Sequence, residues 1–487
     1  MKQLSLAALL IFSVFIFTYK LDYEYFFTDE ATYNESGMLH LKGQYAKLPE
    51  VPLLGKYIAG ITGVMMGRNL FLLRLPYALM GVASVFLVYL ILEKEHGHYW
   101  GLLGGMLFTQ SPFLYSATRR VMLEPVLHLI WLSFHLMYLR FLETEKPKYA
   151  LLSGLFIGLG MATKIPSTLL YPFSFTTLLL YQKLAGEKIF DTMKTRNLLK
   201  AYTLSVGVYV LSYAHFFSKE GVGGLIRVAH STVDNYIILR DLKGKTHLVG
   251  SQIFTKSPWW YYLFHIREKY APGHLILTAT GLFAALTKRT FFTLYWLIFF
   301  SFILVFFQLL HVKAERYISS FELPLIFLAT IGMKQMYDFG KKYLKRYTVI
   351  VLAAVVLVTV LLPRFTYLLN VKLTKYNALY FFLDKNTNHF TDGNRTIIYG
   401  SVRSGRWRFA DLPNKPVITR KDFDLKTDYP EYKYIVFDRD ELAKSKTNLL
   451  YDFVMINRKY YDYADVADLD VYIRKDGMMP KDVYNST

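Results

Sequence analysis

The sequence has no cysteine among its 487 residues, and only 19% of its residues are charged. The missing thiols exclude disulfide scaffolds, thiolate zinc sites and cysteine nucleophiles. A soluble globular chain carries roughly a quarter of charged residues, whereas here 53% are hydrophobic and 17% aromatic. Apolar runs of membrane-spanning length recur from residue 3 to about residue 369. The chain is therefore predicted to be a polytopic α-helical membrane protein.

The apolar runs predict about eleven membrane-spanning helices. The first run is interpreted as a retained helix and not as a signal peptide, because no small-residue cleavage site follows it. Several runs contain Gly or Pro and are shorter than about 20 residues, so one or two are expected to be re-entrant or merged. The predicted spans are 3–19, 70–92, 98–116, 122–142, 149–163, 165–182, 198–218, 273–287, 290–310, 318–336 and 347–369.

Basic residues are distributed unevenly between the short loops. With the N-terminus inside, one set of loops holds fifteen Lys and Arg residues and the opposite set holds five. Because Lys and Arg are retained on the cytoplasmic side, the richer set is predicted to be cytoplasmic in a cell (plasma) membrane. The long loops 20–69 and 219–272 and the chain after residue 370 then face outward. The net charge of +20 comes without a basic arm or RNA-binding signature, so nucleic acid is not an expected partner.

The C-terminal part of the chain has a different composition from the rest. Residues 371–487 are polar and carry strand-like runs at 395–400, 415–419, 432–438 and 468–474. Apolar alternation bounded by Asn, Asp, Gly and Pro is typical of short strands. We therefore expect a membrane domain at 1–370 and a small extracytoplasmic α/β or α+β domain at 371–487.

The unusual ionisable residues near the predicted helix ends fall on the outer side. Asp29 and Glu30 follow the first helix, and Lys56 lies in the Pro- and Gly-punctuated stretch LPEVPLLGKYIAGITG. Taken singly, each is also explained as a solvated loop charge, a surface ion pair or an interfacial anchor. The remaining ionisable residues of this outer set are Arg74, Arg119, Arg120, Glu124, Lys164, Lys313 and Arg316. Tyr317 directly follows Arg316.

The combination of carboxylates and cations at one membrane surface indicates a chemistry. Arg and Lys side chains neutralise phosphate charge as it develops on a leaving group. A carboxylate within reach of an acceptor hydroxyl can take its proton. The pattern therefore favours group transfer from a lipid phosphate at the outer leaflet, without naming a sugar.

Aromatic residues in loop 219–272 add two candidate features. Trp259 and Trp260 precede two tyrosines, which fits either an interfacial aromatic belt or a stacking wall for a sugar ring or an isoprenoid chain. His247 is either an ordinary loop histidine or a ligand. With Tyr317, these residues are the candidate substrate-lining positions.

The sequence resembles the GT-C glycosyltransferases, nearest to the protein O-mannosyltransferase and aminoarabinose-transferase group. The resemblance covers roughly residues 3–335 and rests on the order and common side of short motifs, each weak alone. These are TDEATY, VPLLGKYIAG, RLPYALMG, ATRRVMLEP, GLFIGLGMATK, H-x3-S with a later PWWYY, and ERY with a later LP.

The resemblance implies an inverting transferase that uses a polyprenyl- or dolichyl-phosphate sugar donor. Asp29 matches the essential acid of the first outer loop and is the expected general base, with Glu30 beside it. Glu124 matches the second-loop acid, Lys56 the lysine of the first loop, and Arg316 the arginine before Tyr. We also expect donor-phosphate contacts from Arg74, Arg119, Arg120 and Lys164. No cofactor is required, although Asp29 and Glu124 are candidate ligands for Mg²⁺ or Mn²⁺.

Departures from the family pattern leave the acceptor open between protein, glycan and lipid. The His-Pro-Pro of the family is Glu50-Val51-Pro52 here, and the second-loop acid is Glu where Asp is frequent. No MIR-type domain is present in this sequence. The WWDxG motif of oligosaccharyltransferases is missing as well, which disfavours block transfer to Asn.

The alternative function is a non-catalytic transporter or a membrane scaffold for envelope glycan or lipid assembly. A transporter is expected to carry ionisable residues near the middle of its helices, at a site reached from both faces. Here the helix interiors hold few charges, which cluster at one surface. The sequence therefore favours the enzyme.

Overall fold

The computed structural model describes most of the N-terminal three quarters of the chain and parts of the remainder. Its contacts divide the chain into two units, one of Met1–Leu21 and Thr32–Asn370 and the other of Asp22–Ala31 and Val371–Thr487. The described residues are 1–23, 28–45, 51–67, 69–190, 192–233, 247–249, 252–254, 258–309, 317–343, 379, 395–399, 417–419, 432–442, 449–456, 458–466 and 469–475.

The first unit is helical. A two-stranded antiparallel hairpin, β1 (His247–Val249) and β2 (Gln252–Phe254), interrupts the helices. The helices are α1 (Lys2–Thr18), α2 (Thr28–Leu41), α3 (Leu53–Met66), α4 (Leu70–His96), α5 (His98–Gln110), α6 (Pro112–Thr118), α7 (Leu123–Thr144), α8 (Pro147–Thr163), the 3₁₀ turn η1 (Ile165–Leu169), α9 (Leu170–Ala185), α10 (Thr192–Ser212), α11 (Ala214–Val233), α12 (Tyr261–Lys269), α13 (Pro272–Lys288), α14 (Phe291–Leu309) and α15 (Ile318–Tyr343).

Three helices in the described part of the chain are long and apolar enough to cross a membrane, namely α4, α7 and α14. Two shorter apolar helices, α1 and α3, accompany them. Helices also occur at each of the other predicted spans up to residue 336, whereas the span at 347–369 lies outside the described residues.

Two predicted spans differ from the observed helices. The span at 98–116 divides at Ser111 into α5 and α6, because Pro112 has no N–H to continue the helix and begins a new one. The span at 198–218 is shifted and divided, since α10 runs from Thr192 to Ser212 and α11 begins at Ala214. The polar first turn of α10 is stabilised by Lys194, which pairs with Glu187 at 2.5 Å and Glu145 at 3.2 Å.

Helix α7 lies at the centre of the first unit, where it packs against α4 and α8. Its middle is aromatic: the indole of Trp131 meets the ring of Phe299 edge-on at 5.6 Å, and His135 Nδ1 is 2.7 Å from the Tyr295 hydroxyl. Such rings bury large areas and pack in offset or edge-to-face geometry.

The second unit contains a five-stranded mixed sheet in the order β4-β3-β5-β7-β6. Strand β3 runs parallel to β4 and β5, whereas β7 is antiparallel to β5 and β6. All four predicted runs contain a strand, and β6 is additional. The elements are β3 (Arg395–Tyr399), β4 (Val417–Thr419), β5 (Tyr432–Asp438), α16 (Arg439–Leu442), α17 (Leu449–Ile456), the 3₁₀ turn η2 (Arg458–Tyr460), β6 (Tyr461–Val466) and β7 (Leu469–Arg474).

The core of this sheet is small and apolar, with Ile435, Phe437, Val454 and Tyr472 buried. At its surface the guanidinium of Arg439 donates to Asp470 at 2.7 Å. Burial raises the pKa of Tyr472 to about 12, so its hydroxyl is neutral at physiological pH.

Candidate active site

Glu124 and Lys164 form a buried ion pair. The Lys164 ammonium donates to Glu124 Oε1 at 2.6 Å, and only 1% of the Glu124 side chain and 13% of the Lys164 side chain are exposed. The ammonium also lies 5.4 Å from the centre of the Tyr317 ring. The structure thus brings together three of the predicted site residues, from the start of α7, the end of α8 and the start of α15.

The position of Lys164 is fixed by the chain on both sides of it. Its extended backbone ends α8, and Pro166 is the second residue of the 3₁₀ turn η1 that follows. Within that turn the Ser167 hydroxyl accepts the indole N–H of Trp131 on α7 at 2.9 Å. The lysine therefore points from a turn that is itself bonded to the helix carrying Glu124.

Lys56 reaches the same region through helix α3. A side chain on the neighbouring Gly55 would meet Leu123 Cδ2 at 2.5 Å and Thr163 Cγ2 at 3.3 Å. Leu123 and Thr163 directly precede Glu124 and Lys164 in the sequence. Lys56 itself is fully buried. Close packing at a glycine therefore places the start of α3 beside the Glu124–Lys164 pair.

Helices α2 and α3 approach each other at glycines. A side chain on Gly37 would lie 2.5 Å from the Gly60 backbone nitrogen and would collide with the Lys56 carbonyl. One turn earlier on α2, the Asn34 amide donates to the Ala59 carbonyl at 3.0 Å. These contacts fix residues 34–37 of α2 against α3.

Asp29 and Glu30 lie in the first turn of α2, where the helix dipole stabilises a negatively charged carboxylate. Glu30 is fully buried, and Asp29 is half-buried. Both belong to the segment 22–31 that groups with the second unit. The general-base role of Asp29 and its relation to Lys56 stay predictions.

Arg119 binds the C-terminal end of α1. Its guanidinium donates to the carbonyls of Ile16, Phe17, Tyr19 and Lys20 at 2.8–3.3 Å, and it is fully buried. The last carbonyls of a helix have no intrahelical partner, so this side chain acts as their cap. These bonds occupy most donors that a phosphate would need, and the predicted phosphate contact of Arg119 stays a prediction.

Arg74 supports the same end of α1. Its Nη1 donates to the Leu21 carbonyl at 2.8 Å, and the residue is fully buried in α4. Arg120 is half-buried in the turn between α6 and α7, where its carbonyl accepts the Met122 N–H at 2.8 Å. Their predicted contacts with a donor phosphate are likewise untested.

His128 was not predicted from the sequence and lies beside the ion pair. It is fully buried one turn after Glu124 on α7. The signal was present in LEPVLHLI, because residues i and i+4 lie on one helix face.

An aromatic cluster adjoins Lys56. The hydroxyls of Tyr45 and Tyr57 are 2.8 Å apart, and Tyr45 also contacts His215 Nδ1. Burial raises the pKa of Tyr45, with the Tyr57 hydrogen bond acting in the same direction. Tyr45 therefore stays a neutral hydroxyl beside α3.

The substrate-lining role of Trp259, Trp260, His247 and Tyr317 stays a prediction. The Trp259 side chain is 73% exposed, and its carbonyl accepts the Gln308 amide at 2.6 Å. Trp260 is half-buried against Phe264. The backbone of His247 begins β1. Its side chain, and the whole of Lys313 and Arg316, lie outside the described residues.

Within the described ranges, no three His, Asp or Glu side chains come together as metal ligands. Glu124 Oε1 binds the Lys164 ammonium instead. A divalent metal held by Asp29 and Glu124 stays a prediction.

A cavity of about 350 Å³ lies at the other end of α7. Glu143 at that end is 19 residues from Glu124, which corresponds to about 29 Å along the helix axis. The cavity is thus separate from the Glu124–Lys164 pair. Its lining consists of Glu95, His96, Leu139, Leu142, Glu143, Tyr181, Thr290, Phe291 and Phe292.

A model of one protein family matches part of the chain. Residues 50–212 match the family model for dolichyl-phosphate-mannose-protein mannosyltransferases. The matched region includes Lys56, Arg74, Arg119, Glu124 and Lys164. A search of curated protein sequences finds no significant match.

Solved structures match the chain over nearly its full length. ArnT from Cupriavidus metallidurans in the apo state has a TM-score of 0.57 at 14% identity, covering 96% of this chain and 97% of ArnT. ArnT bound to undecaprenyl phosphate gives 0.59 at 13% identity, covering 97% and 98%. The fold is that of the GT-C glycosyltransferases. The apo oligosaccharyltransferase of Archaeoglobus fulgidus gives 0.50 at 12% identity, covering 99% of this chain and 75% of that one.

At these identities the structural likeness establishes the GT-C fold. The resemblance predicted from the motifs is confirmed at that level. The chemistry of the individual residues rests on their own geometry.

Proposed function

We propose that this chain is an inverting membrane glycosyltransferase that moves a sugar from a polyprenyl- or dolichyl-phosphate donor to an acceptor hydroxyl. The observation that carries the proposal is the packing of α3 against α7 and α8, which places the buried Lys56 near the buried Glu124–Lys164 ion pair. It lies within the region that matches the mannosyltransferase family model. The GT-C fold adds further support.

The proposed reaction is a single displacement at the anomeric carbon. The acceptor oxygen forms the new glycosidic bond while the bond from that carbon to the phosphate oxygen breaks. Asp29 takes the acceptor proton, and the polyprenyl phosphate leaves with the bonding pair. Because attack and departure occur on opposite faces of the sugar, the anomeric configuration inverts.

The cations stabilise the charge that develops on the leaving phosphate. Lys56 is the first candidate for this contact, since it is a buried ammonium at the start of α3. Lys164 is held by Glu124, which places its charge and keeps the carboxylate from standing alone in a buried site. Arg316 and Arg120 are proposed as further phosphate contacts.

The expected location is the cell membrane, with the reacting groups and residues 371–487 on the outer side. This orientation rests on the distribution of basic loops. The acceptor class and the sugar are open, since the motif departures at Glu50-Val51-Pro52 affect the acceptor side.

The test is direct donor turnover. Purified protein in lipid nanodiscs is incubated with a panel of radiolabelled polyprenyl-phosphate sugars and a membrane extract as acceptor source, and release of free polyprenyl phosphate is measured. Asp29→Asn should lower turnover by about 10²–10⁴-fold, because general-base catalysis contributes on that scale. Glu35→Gln, at an exposed position of the same helix, is the matched control.

Near-normal turnover of Asp29→Asn would remove Asp29 from the role of base. Failure of the unmodified chain to release lipid phosphate from any donor in the panel would contradict the transferase proposal itself.

A further inference from the structure

Glu322 is a fully buried carboxylate in the second turn of α15. Its Oε1 accepts the Phe113 N–H at 3.0 Å and the Tyr270 hydroxyl at 2.6 Å, and its Oε2 accepts the Leu114 N–H. The Ser111 hydroxyl lies 3.2 Å from the Tyr270 oxygen. Three donors from two distant segments thus converge on one side chain.

Helix α6 depends on that carboxylate at its N-terminus. The first N–H groups of a helix have no partner within the helix, and the usual solution is a side chain at the preceding residue. Ser111 makes no such capping bond, and Pro112 has no N–H to offer. Glu322, more than 200 residues away in sequence, supplies the acceptors instead.

Helix α6 leads directly into the candidate active site. It has seven residues, which span about 10 Å, and it packs against α15, α7, α4 and α5. Arg119, which caps α1, is the next residue, and Glu124 follows after a tight turn. A shift of the start of α6 is therefore transmitted to both side chains.

We propose that Glu322 is a positioning residue for glycosyl transfer: its carboxylate anchors the N-terminus of α6 and so sets the Arg119-to-Glu124 turn. This inference rests on the proposed transferase function for its kinetic consequence. Glu322 acts through α6 and not through contact with the donor.

The sequence offers one physical reason to single out this residue. Glu322 is an acidic residue inside an otherwise apolar run, where a charged or strongly polar group is costly unless its partners are fixed. Two amides and a phenol provide those partners. None of the residues with predicted donor contacts is among them.

The first test is hydrogen exchange in the full-length protein. Glu322→Gln keeps the size of the side chain but replaces one acceptor oxygen with an amide NH₂, which cannot accept an N–H. The peptide containing residues 111–118 should then exchange faster than in the unmodified protein, by about tenfold or more for Phe113 and Leu114. Glu268→Gln, at a half-exposed position on α12, is the matched control and should leave this peptide unchanged.

The second test is kinetic. Glu322→Gln should lower kcat by about a hundredfold, the loss expected when reacting groups are displaced by about 1 Å, with a smaller change in donor KM. Glu322→Asp keeps both acceptor oxygens on a shorter side chain, so its kcat and its exchange rate should lie between those of the Gln variant and the unmodified protein. If Glu322→Gln does not fold, the exchange rate of residues 111–118 and kcat are measured for Glu322→Asp instead, with Glu268→Gln as the control.

Faster exchange of 111–118 together with reduced kcat supports the proposal. Unchanged exchange in a folded Glu322 variant would overturn it, whatever the activity. Reduced kcat with unchanged exchange would also overturn it, because Glu322 would then act on the reaction directly. If the unmodified chain transfers no sugar, the proposed function fails, while the exchange result still decides whether Glu322 anchors α6.

Discussion

The two ends of helix α7 both carry a glutamate paired with a lysine, but in different surroundings. At the start, Glu124 and Lys164 are almost entirely buried, with 1% and 13% of their side chains exposed. At the other end, Glu143 pairs with Lys94, and the two side chains are 39% and 33% exposed. Helix α7 thus carries a Glu–Lys ion pair in a buried setting at one end and a partly exposed Glu–Lys ion pair at the other.

The two ion pairs differ in the free energy needed to remove their charges from water. Removing two ions from water costs several kcal/mol each, whereas an exposed pair loses little and gains little, typically about 0–1 kcal/mol. A buried pair persists when close geometry compensates for desolvation, and such sites are candidates for function. We therefore expect the Glu124 end of α7, and not the Glu143 end, to take part in function.

The largest effect is expected from Glu124→Gln. This change leaves the Lys164 ammonium without its carboxylate in a buried site, which destabilises proteins by about 3–5 kcal/mol. We expect a clear fall in the apparent Tm in nanodiscs and a loss of donor turnover. Glu143→Gln at the opposite end is the matched control, and equal melting of the two variants would contradict the distinction between the ends.

A smaller effect is expected from Gly37→Ala. This change moves α2 relative to α3 without removing any charge, so it separates the effect of helix position from the effect of the ion pair. The new methyl group would press on the backbone of Lys56 and Gly60, so α2 and α3 must separate. Overpacking of this kind costs about 1–3 kcal/mol. Donor KM should rise through the displacement of Lys56.

Gly207→Ala is the control for this variant, since a methyl group there meets no atom within 4 Å. A Gly37→Ala protein with the donor KM and apparent Tm of the control would show that close approach of α2 and α3 is dispensable.

The smallest effect is expected at the exposed pair. Lys94→Gln and Glu143→Gln, alone and together, should reveal a coupling of about 0.2–1 kcal/mol that weakens with added salt, because both side chains contact solvent. Donor turnover should be unchanged. A double-mutant cycle for Lys164 and Glu124 should give a larger and less salt-dependent coupling, and the reverse order would contradict the assignment of the buried end.

The sequence predicted the helices better than the partners of their end residues. Apolar runs of spanning length located α4, α7 and α14, because hydropathy acts along the chain. The division at Ser111 was visible only as Pro112 within an apolar run. The distribution of basic residues among the loops predicted that Glu124 and Lys164 lie on the same side of the membrane. Their direct contact could not be predicted, because it depends on how α7 packs against α8.

The arginines illustrate what the sequence could not supply. Arg119 was expected to bind a phosphate on the basis of charge and side, and nothing in ATRRVMLEP indicates that the end of α1 lies within reach of its guanidinium. The role of Glu322 was also missed, because its donors come from residues 113, 114 and 270. Long-range partners are set by packing and not by local pattern.

The cap that Arg119 places on α1 has a consequence for biosynthesis. The first helix leaves the ribosome about a hundred residues before the guanidinium that will satisfy its final carbonyls. Until the segment after α6 has been translated and inserted, those oxygens must be hydrated or covered by an insertion factor. The end of α1 is thus completed only after the segment that carries Arg119 has been made.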